Sequence, residues 1–389
     1  MYKETQIDSL LYFEQCLNTS LKVLFIHNAV PEYRIAFWRE LSKFCDLTIL
    51  VTRKDLESKI YGLNKNIFDL NIIYLNAKIV FELIYGTVKT DVVVLPPADT
   101  VREWGVGYFI NFLCKLKGVK VIYWTEKWEA DKSRCPIKKR IKNAIQRKII
   151  GSLAVNSSIC IAAGSKSMEY LQKIHVRNDK IRIVYDSSTS PEPVKEIDFE
   201  KEFGISKAKK VILYFGRIIR RKGIMVLLEA FRRIQNQNVV LMICGEGDYE
   251  KECKAYVVSH NMKNVIFVGK IQPDIRKNFY LRADVFVIPS YTDRGVVEAW
   301  GLTVNEALEV GTPVVATTAV GSAFDLLSDL NGVIIEEACV EELYKKLMYM
   351  INNRTINRET IKKSYISFSV EEMAKAFANA IKDSVQKWN

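Results

Sequence analysis

The chain holds only three histidines, His27, His175 and His260, and no two stand at a metal-ligand spacing. A structural zinc site is therefore not expected. The eight cysteines form no C-x-x-C pair and several sit in apolar runs, which predicts scattered reduced core thiols rather than a disulfide framework. No apolar run nears the ~18–20 residues that cross a bilayer. The opening MYKETQIDSLLYFEQCLNTSLK lacks a basic segment followed by an apolar one, so it does not read as a secretory signal and a cytoplasmic protein is expected. Short repeats and low-complexity tracts are missing too, which excludes solenoid and linker-like architectures.

What is present suits a globular protein of two domains: 389 residues, 49% apolar and 26% charged. Strand-like runs alternate with helix-like runs almost throughout. In the first half the strand candidates are 22–28, 46–52, 71–77, 91–97, 119–126, 159–165 and 180–186. In the second half they are 210–216, 239–245, 264–269, 284–290, 312–318 and 332–336. Most are unbroken β-branched runs, as parallel strands buried on both faces require. Segments between them, such as 222–235 and 340–353, carry apolar stripes of helical period. The polar stretch DSSTSPEPVKEIDFEKEF (186–203), with Pro191 and Pro193, reads as the linker. The expected architecture is α/β, two doubly wound Rossmann-like domains over 1–190 and 207–366, followed by an amphipathic tail helix. In such folds a ligand sits beyond the carboxyl ends of the strands, here in the cleft between the domains.

Three turns carry chemistry. In YFGRIIRRKG a strand ends at Gly216, Arg217 follows, and Lys222 precedes the glycine that opens a helix; two cations and helix N–H groups aimed at one spot suit a diphosphate. The alternative is a solvated basic turn, since Arg220 and Arg221 are also charged. Gly245 in CGEGD and Gly269 in FVGK mark two further open loops on the same edge. EAWGLTVNE then sets Glu298 and Glu306 eight residues apart across a strand-to-helix turn. Thr303 and Glu306 fit a capping box, which would explain Glu306 alone. A bound sugar nucleotide would also explain Glu298 and Gly301, with carboxylates accepting from sugar and ribose hydroxyls and a helix N-terminus between them.

Together and in order, FGRIIRRKG, CGEGD, VIFVGK, ADVFVIPS and EAWGLTVNEALEVGTPVVATTAVG resemble the retaining glycosyltransferases of family 4, with a GT-B fold. The likeness is strong over 209–336 and weaker over 159–186. It implies that Arg217 and Lys222 grip the donor diphosphate, Glu306 the ribose and Glu298 the donor sugar. Gly216, Gly245, Gly301, Leu302 and Thr303 would lie near the phosphates, and Val268, Gly269 and Lys270 near the base of a UDP- or GDP-sugar. It also implies that the tail, 367–389, crosses back onto the first domain. No D-x-D motif appears, so no metal and no cofactor is expected, with the cations taking a metal's part. The departing diphosphate would take the acceptor proton. The first half departs from the family pattern: HNAVPEYR (27–34) has no glycine, and YWTEKW (123–128) offers Thr125 and Glu126 where many members carry a histidine. Tyr33, Arg34 and Glu126 are candidates for the sugar or acceptor side by position only, and Arg34 reads equally well as a surface charge at a helix start.

Charge is uneven. Within 115–150, twelve lysines and arginines face only Glu126, Glu129 and Asp131, leaving +9 of the chain's +12. Ile137, Ile141, Ile145 and Ile149 recur at spacing four, as on an amphipathic helix lying on a membrane; the plainer alternative packs that stripe on the helix's own sheet. Trp124 and Trp128 would suit the interface. An anionic membrane surface and a lipid-linked or other glycan acceptor are expected, with the protein peripheral on the inner face of the cell membrane. The competing class, a basic nucleic-acid-binding module, lacks any binding motif, so no nucleic-acid partner is expected. A GT-B epimerase or phosphorylase fits the E-x7-E context less well.

Overall fold

The computed structural model describes residues 20–53, 67–86, 89–96, 100–129, 135–352 and 357–386. Cys16, Asp131, Lys132, Arg134 and the end of the tail lie outside them, as does the Lys139 side chain.

The first half runs β1 (Lys22–His27), α1 (Glu32–Leu41), β2 (Asp46–Val51), β3 (Asn71–Tyr74), α2 (Ala77–Tyr85), β4 (Val92–Leu95), α3 (Val101–Lys117), β5 (Lys120–Thr125), α4 (Ile137–Asn156), β6 (Ile159–Ala162), α5 (Ser165–Lys173) and β7 (Ile181–Ile183). These strands form one parallel sheet in the order β3-β2-β1-β4-β5-β6-β7. The second half runs α6 (Phe199–Phe203), β8 (Lys210–Phe215), α7 (Ile224–Arg232), β9 (Val239–Cys244), α8 (Glu250–Ser259), β10 (Val265–Gly269), α9 (Pro273–Arg282), β11 (Val285–Ile288), α10 (Thr303–Glu309), β12 (Val314–Thr317), α11 (Ala323–Leu326), β13 (Gly332–Ile335), α12 (Val340–Asn352), α13 (Arg358–Tyr365) and α14 (Val370–Gln386). Its sheet is again parallel, in the order β10-β9-β8-β11-β12-β13.

Local chemistry fixes these elements. All of β4 and β9 is buried, as apolar strands covered on both faces must be. Thr100 and Glu103 close a capping box at the start of α3, and Gly118 ends it in the left-handed conformation. On one face of the first sheet lie α2, α3, α4 and α5, packed over Leu24, Tyr123 and Cys160. The other face is covered by α1 and by the tail helix α14, which returns from the end of the chain. Phe377 of α14 sits 5.7 Å from Phe25, 5.3 Å from Phe37 and 5.6 Å from Trp124, ring centre to ring centre. Arg182 of β7 holds Asp383 at 2.7 Å.

The polar start of the linker is not solvated. Asp186, Ser187, Ser188 and Ser190 are buried. Asn305 Nδ2 donates to the Asp186 carbonyl at 3.1 Å, and the Ser187 hydroxyl meets the Tyr365 hydroxyl at 2.9 Å. Thr189 donates to Glu309. The hydroxyls serve as partners for buried groups of the second half, a use that composition alone does not reveal. Cys45, Cys114, Cys135, Cys160, Cys244 and Cys253 are buried free thiols, and Cys339 is a half-buried one.

Candidate active site

The two acids of E-x7-E meet separate partners. Glu298 precedes α10 and its backbone bridges to Val320. Lys222 Nζ lies 2.6 Å and Arg221 Nη1 2.9 Å from its Oε2, and neither ion pair uses Oε1. Burial raises the Glu298 carboxyl, but Lys222 and Arg221 outweigh it and hold it below its ordinary value. Burial pulls the Lys222 ammonium below its ordinary value, against the attraction of Glu298. Lys222 is seated by Gly223, which has φ of +73° and whose position would bring any Cβ within 1.8 Å of the Pro289 carbonyl oxygen. The Tyr291 N–H donates to the Arg221 carbonyl at 2.9 Å, pinning the turn to the end of β11.

Arg221 was expected only as a charged turn residue, and the structure corrects that reading. Arg217 stays outside the ion pair with its side chain exposed, though near enough for its charge to depress Lys222. The order of residues in the turn had no means of showing which of its four cations turn inward.

Glu306 is buried. Arg276 Nη1 donates to one carboxylate oxygen at 2.9 Å and the Tyr280 hydroxyl to the other at 2.7 Å. Arg276 and Tyr280 stand one turn apart on α9, so one helix face reaches the acid. The capping box does not form: Leu302, not Thr303, is the N-cap, and no side chain caps α10. Gly301 has φ of +98° and packs between Val320, Ile288 and Glu298. Gly216 and Gly245, with φ of +156° and +135°, abut so closely that a Cβ at 245 would lie 1.9 Å from the Gly216 carbonyl oxygen. Val268, Gly269 and Lys270 close the neighbouring end of β10, with Gly245 N–H donating to the Gly269 carbonyl at 2.7 Å. Leu302 and Thr303 are half-buried at the start of α10.

A cavity of about 780 Å³ lies between the halves and reaches this side only at the residues flanking Glu298, not at Lys222 or Glu306. Its walls include His27, Tyr33, Trp124, Glu126 and Trp128 from the first half and Val296, Val297 and Ala299 from the second. Arg34 is no surface charge: it is 1% exposed and forks onto Asp186, with Glu126 at 2.5 Å. Its guanidinium lies 4.5 Å from the Trp124 ring centre. Arg34 therefore ties β5 and the linker together beneath the cavity, while Tyr33 and Glu126 reach its wall. Trp124 and Trp128 belong to this interior as well, which corrects their assignment to a membrane interface. Trp124 packs in the core, and Trp128 Nε1 donates to the Glu298 carbonyl at 3.2 Å. His27 was not singled out, although it ends β1 where ligands gather. Burial, then the Arg34 charge, lowers it to about 4, so it is neutral near pH 7.

Two more contacts join the halves beside the site. Ser165 N–H donates to the Asp325 carboxylate at 3.0 Å, and Trp300 packs on Gly164.

Residues 195–367 match the family Glycosyl transferases group 1. That span contains Arg217, Arg221, Lys222, Glu298 and Glu306 and the glycines of the turns beside them. The chain is 29% identical over 242 residues to an uncharacterized glycosyltransferase of Methanocaldococcus jannaschii, covering 59% of this chain and 58% of that one. It is 26% identical over 227 residues to the capsular polysaccharide biosynthesis glycosyltransferase CapM of Staphylococcus aureus, covering 57% and 53%. The chain thus spans somewhat over half the length of these relatives. The crystal structure of Anabaena HepE in complex with UDP and glucose superposes with a TM-score of 0.70 at 16% identity, covering 93% of this chain and 99% of that one. The two-sheet architecture, with the first sheet outside the matched span and the second inside it, is that of GT-B glycosyltransferase structures.

Proposed function

We propose that the chain is a retaining glycosyltransferase that moves a hexose-type sugar from a UDP- or GDP-sugar to a glycan or lipid-linked acceptor, in the building of a cell-surface polysaccharide. The observation that carries the reading is the Lys222–Glu298–Arg221 cluster, set inside a group 1 domain at the edge of the interdomain cavity. Lys222 and Arg221, with Arg217 beside them, stabilise the charge that develops on the departing diphosphate. Glu298 orients the two cations through Oε2 and offers Oε1 to a sugar hydroxyl. Glu306, held by Arg276 and Tyr280, receives the ribose. The bond from the anomeric carbon to the diphosphate oxygen breaks as the bond to the acceptor oxygen forms, and the acceptor proton passes to the diphosphate on the same face. With cations supplied by side chains, the reaction needs no metal. The relatives' names favour a polysaccharide product, and the HepE complex favours UDP.

Attachment to an anionic membrane belongs to the same reading. Ile137, Ile141 and Ile145 are 73%, 57% and 52% exposed, so the stripe does not pack on its own sheet. Phe112 and Leu116 of α3 and Phe81 and Tyr85 of α2, on the same side of the sheet, are exposed too. An apolar surface of this extent set among lysines and arginines suits an anionic bilayer.

Release of nucleoside diphosphate from a panel of UDP- and GDP-sugars, with and without EDTA, tests the reading. Release from at least one donor, unchanged by EDTA, is expected. No release and no thermal stabilisation by any donor overturns it, and dependence on Mg²⁺ or Mn²⁺ overturns the metal-free step.

A further inference from the structure

The cavity has a cationic wall apart from the turn that holds Arg221 and Lys222. Lys138 and Lys142, one turn apart on α4, line it, followed on the same face by Gln146. Neither lysine has an ion-pair partner among the described residues. The carboxylates nearby are already engaged: Glu126 with Arg34, and Glu129 with Arg147 at 3.0 Å. The donor's cations, Arg221 and Lys222, belong to the other half of the molecule. Trp124 is also in the wall, and its Nε1 is buried without a hydrogen-bond partner among the described residues. The opposite wall is formed by the residues flanking Glu298.

We infer that Lys138 and Lys142 form an anion subsite that binds a phosphate group of the acceptor within the cleft. The inference rests on the glycosyl-transfer reading of the cavity and names the class of acceptor it takes, a phosphorylated one. Lys138 and Lys142 are exposed on the cavity wall, and two ammonium groups at a one-turn spacing can reach one phosphate with charge-assisted hydrogen bonds. The neighbouring face of the same helix carries the exposed Ile137, Ile141 and Ile145. A phosphate carried on a lipid would therefore meet the lysines with its chain along the isoleucines. A soluble sugar phosphate would use the lysines alone.

Fluorescence of Trp124 and Trp128, both in the cavity wall, reads binding directly. The full-length protein is titrated with geranyl diphosphate, inorganic pyrophosphate and geraniol. With the nucleotide site held by saturating UDP or GDP, wild type, Lys138→Gln/Lys142→Gln and a control on the same helix, Arg140→Gln/Lys148→Gln, are compared. Expected is binding of both phosphates to wild type and to the control, weakened by about 10-fold or more in the double variant of Lys138 and Lys142. Geraniol should not bind. Tighter binding of geranyl diphosphate than of pyrophosphate assigns the phosphate to a lipid carrier, and equal binding assigns it to a soluble acceptor. Unchanged affinity in the double variant of Lys138 and Lys142, geraniol binding as well as its diphosphate, or an equal loss in the Arg140→Gln/Lys148→Gln control overturns the subsite. Thermal shift with nucleotide sugars on the same proteins tests the donor reading separately. Loss of that shift alone leaves the phosphate result standing, and loss of phosphate binding alone leaves the donor site standing.

Discussion

At the residue scale the site depends on which charges are paired in the interior. Lys222→Ala and Arg221→Ala should each lower turnover by about 10²-fold or more while the fold persists, because each removes charge from the leaving group. Steady-state rates on the donor found active check this, and near-normal rates in both would remove the diphosphate from this turn. Glu306 gives a different prediction. Its removal leaves Arg276 without its carboxylate in a largely buried place, so Glu306→Ala should cost about 3 kcal/mol in equilibrium denaturation. A lost helix cap would cost only ~1 kcal/mol. His27 contributes to the acid limb of stability. As pH falls below 6.5 the unfolded chain protonates this imidazole, while the native one stays neutral until about 4. Its contribution is whole above pH 6.5 and is lost between 6.5 and 4, about 3 kcal/mol in all. Urea midpoints across that window should fall less steeply in His27→Gln than in wild type.

At the element scale α4 is divided by faces. Lys138, Lys142 and Gln146 turn to the cavity, Ile150 and Leu153 to the sheet, and Ile137, Ile141 and Ile145 outward, with Arg140 and Lys148 exposed. Beyond the isoleucine stripe read from the sequence, the helix thus has a distinct face turned to the cavity. Exchanging Lys138 and Lys142 would test the cavity rather than the membrane. The membrane test belongs to the apolar face: Ile141→Asp with Phe112→Asp should abolish cosedimentation with liposomes containing anionic lipid. In wild type the binding should weaken as salt rises, since exposed charges are screened over ~8–10 Å. Equal binding of wild type to neutral liposomes would mean that this face serves another partner.

At the scale of the whole molecule the two halves are braced beside the cleft. They are in close contact at Gly164: a Cβ there would lie 2.3 Å from the Trp300 ring and 2.5 Å from the Asp325 carboxylate. Its backbone is extended, with φ of 174°, so Gly164→Ala adds a collision between the halves without backbone strain. The variant should keep donor affinity and each half's fold yet lose about 10-fold or more in turnover, because the reacting groups come from opposite sides of the cleft. Thermal shift with donor, set beside the rate, measures the two separately. Full activity would mean that this contact does not set the working geometry.

The sequence by itself determined the strands, their parallel pairing and the turns where chemistry gathers. Those follow from unbroken β-branched runs and from glycine and charge at fixed offsets, all local to a few residues. Glu298 and Lys222 could be read for the same reason, each lying in a turn next to a strand end. Tertiary structure alone decided that Arg221 rather than Arg217 pairs with Glu298, that Arg276 and Tyr280 satisfy Glu306, and that Arg34 is buried against Asp186, 152 residues away. It also moved Trp124 and Trp128 from an imagined surface into the cleft. A side chain's partner across the chain is set by how sheets stack and which helix face turns inward, and desolvation makes such pairs count. Neither quantity is written in the spacing of residues along one strand or one helix.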